Sequence, residues 1–157
     1  NKPPKHVLRD ISKLIESLPL DHVALVGSSL GGFYATYFVA KYACPAVLIN
    51  PAMQPWQLFK DLFGIEQIPL KVTESWTLDT DQLQQLQSIA NTRLNHADKI
   101  LVLLQQGDEV LDYRQAQRYY SAAQPSSLIL IDMDGNHAMD DFEEKLPLIL
   151  EFLSAAL

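Results

Sequence analysis

The chain has 157 residues, a length typical of one domain, and its 48% hydrophobic and 20% charged residues are proportions of an ordinary globular protein. A net charge of −7 excludes the basic surface that binds nucleic acid or anionic membranes, so we expect neither as a partner. The single cysteine, Cys44, cannot form an internal disulfide or a cysteine-based metal site. Because no apolar run approaches the roughly 18 residues of a membrane span, we expect a cytoplasmic protein.

The first third of the chain alternates between helical and strand patterns. Apolar residues recur at helical spacing from Val7 to Leu18 and predict an amphipathic helix. The short apolar run His22–Val26 predicts a buried strand, Leu30–Tyr42 a second helix, and Ala46–Asn50 a second strand. Strand followed by helix followed by strand is the unit from which parallel sheets are built.

Residues 51–98 form a long connection that we interpret as a possible cap-like insertion within the domain. Two stretches in it have helical patterns, Trp56–Phe63 and Asp81–Leu94.

The last third predicts a third strand at Lys99–Leu104, a helix at Tyr113–Ala123, a fourth strand at Ser127–Ile131 and a final helix at Phe142–Leu157. Strands that are apolar throughout and alternate with helices predict a mainly parallel sheet covered on both faces. We therefore expect residues 1–157 to form one α/β domain, a three-layer α/β/α sandwich. In such a sheet the functional loops follow the carboxyl ends of the strands.

The loop after the first strand reads Gly27-Ser28-Ser29-Leu30-Gly31, a Gly-x-Ser-x-Gly pattern between a strand and a helix. A serine on such a turn has a strained backbone and an exposed hydroxyl, and we expect Gly27 and Gly31 to let the helix pass close by. Ser29 is therefore the candidate nucleophile, and Ser28 does not fit the spacing. The alternative is a glycine-rich turn used for packing or for binding phosphate.

A serine nucleophile needs a base, usually histidine, that a carboxylate orients. His137 is the one histidine that follows a strand at its carboxyl end, although it could instead cap the last helix or face solvent. The acid should come from the loop after the third strand, where Asp108 and Asp112 compete and Glu109 is less favoured. Asp112 has a capping-box pattern at a helix start, so we favour Asp108. The order Ser29, Asp108, His137 is that of α/β-hydrolases.

Several segments together resemble a known family. Gly27–Thr36, Asn50–Ala52, Gly107–Ala116 and Gly135–Ala138 are similar to the small YqiA-type esterases of the α/β-hydrolase superfamily. The resemblance runs over nearly the whole chain. It implies an α/β-hydrolase fold and hydrolysis of a carboxylic ester or thioester without a cofactor. It also implies that Ser29, Asp108 and His137 serve as nucleophile, acid and base.

One family feature has no counterpart before Ser29. Members of that family begin with a strand and a His-Gly-Phe-type loop that supplies a second backbone N–H to the oxyanion hole. Of the two usual donors, the N–H of Leu30 can be assigned here. The family's first strands would lie beside His22–Val26, so we expect the sheet in this chain to lack its first one or two strands, through loss of sequence upstream of Asn1.

Four aromatic residues of the long connection could line an apolar pocket beside Ser29: Trp56, Phe59, Phe63 and Trp76. Alternatively, these side chains pack the insertion against the sheet. The reaction we expect is hydrolysis of a small-molecule acyl ester through an acyl-enzyme. A thioesterase or acyltransferase would use the same residues, and a non-catalytic binding module on a hydrolase scaffold is the alternative from a different class.

Overall fold

The computed structural model describes residues 2–90 and 93–157 and centres on a four-stranded parallel sheet. Its strands are β1 (Leu25–Ser28), β2 (Ala46–Ile49), β5 (Ile100–Gln105) and β6 (Leu128–Asp132), in the order β1-β2-β5-β6. A separate antiparallel hairpin consists of β3 (Leu70–Thr73) and β4 (Trp76–Leu78). The helices are α1 (Pro4–Glu16), α2 (Leu30–Tyr42), α3 (Pro55–Phe63), α4 (Thr80–Ala90), α5 (Tyr113–Ser121) and α6 (Phe142–Ala156).

Alternate residues of the two central strands point into two different cores. On one face, Leu48 and Val102 are buried against α2 and α5. On the other face, Val47 and Leu101 are buried against Ile149 of α6. The sheet therefore forms the middle of three layers, and the predicted α/β/α architecture with a mainly parallel sheet is confirmed.

A third core lies beside the sheet and joins α1, α2 and α4. Ile15, Phe38 and Leu86 are all nearly inaccessible in it. Leu78 of the hairpin is buried in the same cluster. Apolar packing of this kind holds the segment between β2 and β5 onto the rest of the domain.

The first strand differs from its prediction. It begins at Leu25 instead of His22, because Leu20–His22 form a single turn of 3₁₀ helix. The prediction of a buried strand is wrong for Val26, whose exposed fraction is 54%. Among residues 2–90 and 93–157, β1 has a partner strand on one side only, so it forms an edge of the sheet.

Two further differences fall in the long connection. The sequence does not predict the hairpin of β3 and β4. The helix predicted at Asp81–Leu94 ends at Ala90, and Arg93 and Leu94 are not helical. Residues 91 and 92 of that prediction lie outside the described residues. Within the described ranges, no helix is both long enough and apolar enough to cross a membrane.

Candidate active site

Ser29 lies on a sharp turn between β1 and α2 with φ 51° and ψ −117°. A positive φ at a non-glycine residue costs about 1–3 kcal/mol and persists where surrounding bonds hold it. Its N–H donates to the Ile49 carbonyl at 2.9 Å. Its carbonyl accepts from the N–H groups of Phe33 and Ala52 at 3.2 and 3.0 Å. The strained serine is therefore fixed from both sides by backbone hydrogen bonds.

Two glycines allow the close approach that this turn needs, although one of them is not the expected one. A Cβ on Gly27 would lie 2.5 Å from the carbonyl oxygen of Gly31. A Cβ on Gly32 would lie 2.8 Å from the Cβ of Pro51. A Cβ on Gly31 would meet nothing within 4 Å, so the expectation of a close approach there is wrong. Gly27 and Gly32 together let α2 cross β1 and the loop after β2.

Asp108 and His137 form a hydrogen-bonded pair after β5 and β6. Nδ1 of His137 lies 3.0 and 2.9 Å from the two carboxylate oxygens of Asp108. Oδ1 of Asp108 also accepts from the N–H groups of Val110 and Leu111, each at 2.9 Å. The Asp108 side chain is only 2% exposed, against 20% for His137. Because the carboxylate engages Nδ1, it favours the tautomer with the proton on Nδ1 and leaves Nε2 as the basic atom.

The two competing acids have other contacts. Asp112 caps α5, since Oδ1 accepts from the N–H of Arg114 at 3.0 Å. Oε2 of Glu109 accepts from the backbone N–H of His137 at 3.0 Å. This hydrogen bond lowers the pKa of the Glu109 carboxyl from its ordinary value. Of the three carboxylates, Asp108 is thus the one bonded to the imidazole.

Two buried amides that sequence reasoning missed hold the loop that carries His137. Nδ2 of Asn50 donates to the carbonyls of Asn136 and His137 at 3.1 and 3.2 Å, and Oδ1 of Asn50 accepts from the N–H of Gln105 at 3.0 Å. Oε1 of Gln105 accepts from the N–H of Asn136 at 2.7 Å. In the sequence, each of these amides is visible as a polar residue at or just after the carboxyl end of an otherwise apolar strand, and this pattern could have marked both as candidate site residues. These bonds tie the loop after β6 to the ends of β5 and β2, and the last residue of β2, Ile49, accepts the hydrogen bond from the Ser29 N–H.

An apolar cavity of about 680 Å³ adjoins Ser29. Phe59 and Phe63 of α3 and Trp76 of the hairpin line it, together with Tyr34. Burial raises the pKa of Tyr34 to about 12, so this side chain is a neutral phenol near pH 7.

Trp56 and Leu30, two further residues that the sequence singles out, differ in their relation to this cavity: Trp56 does not line the cavity beside Ser29, and Leu30 does. Trp56 lines a second cavity and packs edge-on against Phe33, with ring centroids 6.4 Å apart. Leu30 is the first residue of α2 and lines the cavity beside Ser29. The N–H groups of a helix's first turn have no acceptor within the helix, so the Leu30 N–H can stabilise negative charge next to Ser29.

No cluster of three or more His, Cys, Asp or Glu side chains suited to a metal ion occurs in the described part of the chain. The arrangement consists of a serine on a strand-to-helix turn and an Asp–His pair on neighbouring strand ends, in the chain order Ser, Asp, His. This order and placement on a parallel sheet define an α/β-hydrolase fold.

Solved structures share this fold. The chain is similar to a monoacylglycerol lipase of Paleococcus ferrophilus, with a TM-score of 0.66, 14% identity and coverage of 99% of this chain and 77% of that one. It is similar to an esterase of Pyrococcus furiosus, with a TM-score of 0.62, 16% identity and coverage of 98% and 63%. A carboxylesterase of Bacillus subtilis matches with a TM-score of 0.55, 16% identity and coverage of 94% and 65%. The chain therefore spans about two thirds to three quarters of the length of these proteins.

The model of the uncharacterised protein family UPF0227 matches residues 1–154. The chain belongs to this family, and the resemblance inferred from its motifs is confirmed.

Proposed function

We propose that the protein is a serine esterase that hydrolyses carboxylic esters through an acyl-enzyme, with Ser29 as nucleophile, His137 as base and Asp108 as orienting acid. The observation that carries this proposal is the pairing of His137 Nδ1 with the buried Asp108 carboxylate, 2.9 Å away, at the sheet edge where Ser29 has its strained backbone. Strained backbone conformations cluster at active sites, and a histidine oriented by a carboxylate is the arrangement that activates a serine nucleophile.

In the proposed mechanism, Nε2 of His137 takes the proton from Oγ of Ser29 while Oγ bonds to the ester carbonyl carbon. The N–H of Leu30 donates to the oxyanion of the tetrahedral intermediate. The carbon–oxygen bond to the alcohol then breaks, and the alcohol leaves with the proton from His137. Water attacks the acyl-enzyme by the same steps and releases the carboxylic acid. Throughout, Asp108 stabilises the imidazolium and holds the ring.

The cavity beside Ser29 supports an ester with an apolar acyl group. Its aromatic walls, from Phe59, Phe63 and Trp76, offer an alkyl chain apolar contact that excludes water. In this proposal the segment 51–98 serves as a cap over the strand ends, because α3 and the hairpin supply those walls. The ester-cleaving proteins among the structural neighbours favour the same substrate class.

Labelling with a fluorophosphonate probe tests the nucleophile. We expect the protein to be labelled, the S29A variant to remain unlabelled, and the S28A variant to label like the wild type. Ser28 is a matched control because it is the adjacent hydroxyl, at the end of β1. Labelling of S29A would contradict the assignment. A protein that is folded but unreactive would favour the non-catalytic binding module.

A further inference from the structure

We propose that Asn50 and Gln105 are positioning residues that fix the backbone around His137 and so align its imidazole for proton transfer from Ser29. This inference rests on the proposed function, since it concerns how the base is aligned. Both side chains are buried, with exposed fractions of 2% and 1%. A polar group buried this deeply costs free energy unless its hydrogen bonds are made, and here each amide bonds to the loop that carries His137.

The amide of Asn50 has one arrangement that satisfies its surroundings. Its nitrogen faces two carbonyl oxygens, of Asn136 and His137, and its oxygen faces the N–H of Gln105. A flipped amide would place oxygen against both carbonyls and nitrogen against an N–H. Asn50 also has φ 40°, a left-handed conformation that asparagine tolerates better than most residues. Backbone and side chain together make asparagine the fitting residue at this position.

Gln105 is oriented by a charged group beyond it. Its Nε2 donates to Oδ1 of Asp141 at 2.5 Å, which leaves Oε1 to accept from the N–H of Asn136. Asp141 is held in turn by Nζ of Lys145 at 3.0 Å. The hydrogen bond from Lys145, followed by that from Gln105, lowers the pKa of Asp141, so this acceptor stays ionised near neutral pH.

The loop needs such support because its own backbone is irregular. Gly135 and Met139 both have positive φ, 92° and 56°, on either side of His137. A Cβ at Gly135 would collide with the side chain of Gln105, so the glycine is what allows the amide to lie against the loop. Asn50 and Gln105 thus bind the peptide groups around His137, whereas Asp108 binds its ring. A displacement of about 1 Å in such a base can cost 10²-fold in rate.

The variant N50D tests the proposal, because it keeps the size and the acceptor oxygen but replaces the donor that faces the two carbonyls. We expect kcat for a short-chain aryl ester to fall roughly 10²-fold with little change in KM. We also expect the proton NMR resonance of the His137 Nδ1–H to shift or broaden. The control Y120F removes the 2.7 Å hydrogen bond between Thr36 Oγ1 of α2 and the hydroxyl of Tyr120, a buried residue of α5. It should lower Tm without changing kcat or the resonance.

A second pair of variants covers the case in which N50D does not fold. Q105E keeps the acceptor for the Asn136 N–H but sets a carboxylate against Asp141, and D141N would restore a donor to that carboxylate. We expect Q105E to lower kcat and the double variant Q105E/D141N to recover most of it. Wild-type kcat and an unchanged resonance in N50D, or in Q105E where N50D does not fold, would overturn the positioning role. Failure of the proposed function itself would appear separately, as hydrolysis that survives S29A.

Discussion

The two regions that border Ser29 are held by different forces. The candidate catalytic edge, formed by the loops after β1, β2, β5 and β6, is held by hydrogen bonds that involve buried side chains such as those of Asp108, Asn50 and Gln105. Residues 51–98, which we propose as a cap and call the cap segment, are held mainly by apolar packing of α3, α4 and the hairpin against α1 and α2. A hydrogen bond constrains both the distance and the direction between its two groups. Apolar packing mainly requires that the total side-chain volume be kept, so it tolerates substitution by other apolar residues. We infer that the edge sets the chemistry and the cap segment sets the choice of acyl group.

The largest effect should come from the Asp108–His137 pair. Asp108→Asn keeps the shape but offers an amide to Nδ1, which favours the wrong imidazole tautomer, so we expect kcat to fall by about 10⁴-fold. Steady-state hydrolysis of a short-chain aryl ester measures this.

The matched control is Asp112→Asn, the same chemical change four residues away. Asn caps helices about as well as Asp, so this variant should retain both activity and Tm. An equal loss of activity in both variants would show that Asp108 has no special relation to His137.

The next effect concerns the turn at Ser29. Gly27→Ala would place a Cβ 2.5 Å from the carbonyl oxygen of Gly31, so α2 would have to shift. We expect the free energy of unfolding to fall by about 1–3 kcal/mol. We also expect a marked loss of activity, because Ser29 lies on this turn. Gly31→Ala meets no atom within 4 Å and lies in a helix, so it should stabilise the protein by roughly 0.5–1 kcal/mol. Urea unfolding of the two variants measures the difference. Similar destabilisation by both would contradict the close approach of α2 to Gly27.

The loops at the strand ends and the segment 51–98 also differ in how much of each could be predicted from the sequence. Ser29, Asp108 and His137 stand in loops that contain glycine, and their neighbours along the chain make them the candidates that we favour. Asn50 and Gln105 could be seen as polar residues closing apolar strands. Their partners could not be predicted, because those lie 86, 87 and 31 residues away.

The cap segment was harder to predict for a different reason. Trp56 and Phe59 are both aromatic residues on α3, yet they line different cavities, and helical spacing does not say what lies against each face. The strands of the hairpin are only four and three residues long, too short for a periodic pattern to identify.

A smaller effect should come from the cavity wall. Phe59→Ala removes an apolar contact beside Ser29, so we expect kcat/KM to fall by about tenfold for a medium-chain ester and little for an acetate ester. Trp56→Ala, the matched control on the same helix, should lower Tm and leave the chain-length profile unchanged. Activity measured over a series of p-nitrophenyl esters distinguishes the two. An identical profile in Phe59→Ala would exclude this cavity as the acyl site.

The smallest effect should be the contribution of Glu109 to the pH dependence of stability. Its pKa in the folded protein is lowered, chiefly by the hydrogen bond from the His137 N–H, so its stabilising contribution is complete above the ordinary value of 4.5. That contribution is lost as pH falls through the lowered value. Glu109→Gln should therefore show a smaller drop in Tm than the wild type between pH 7 and pH 3, as measured by thermal melts. An unchanged drop would mean that the carboxylate does not hold the loop.

Ser29 is the residue that we expect to carry the acyl group. Rapid quenching of the protein with a short-chain aryl ester, followed by intact-mass and peptide mass measurements, tests it directly. We predict a single added acyl group on the peptide containing Ser29, present in S28A and absent from S29A. Ester hydrolysis with the acyl group on another residue, or with undiminished turnover in S29A, would contradict the assignment of Ser29 as nucleophile.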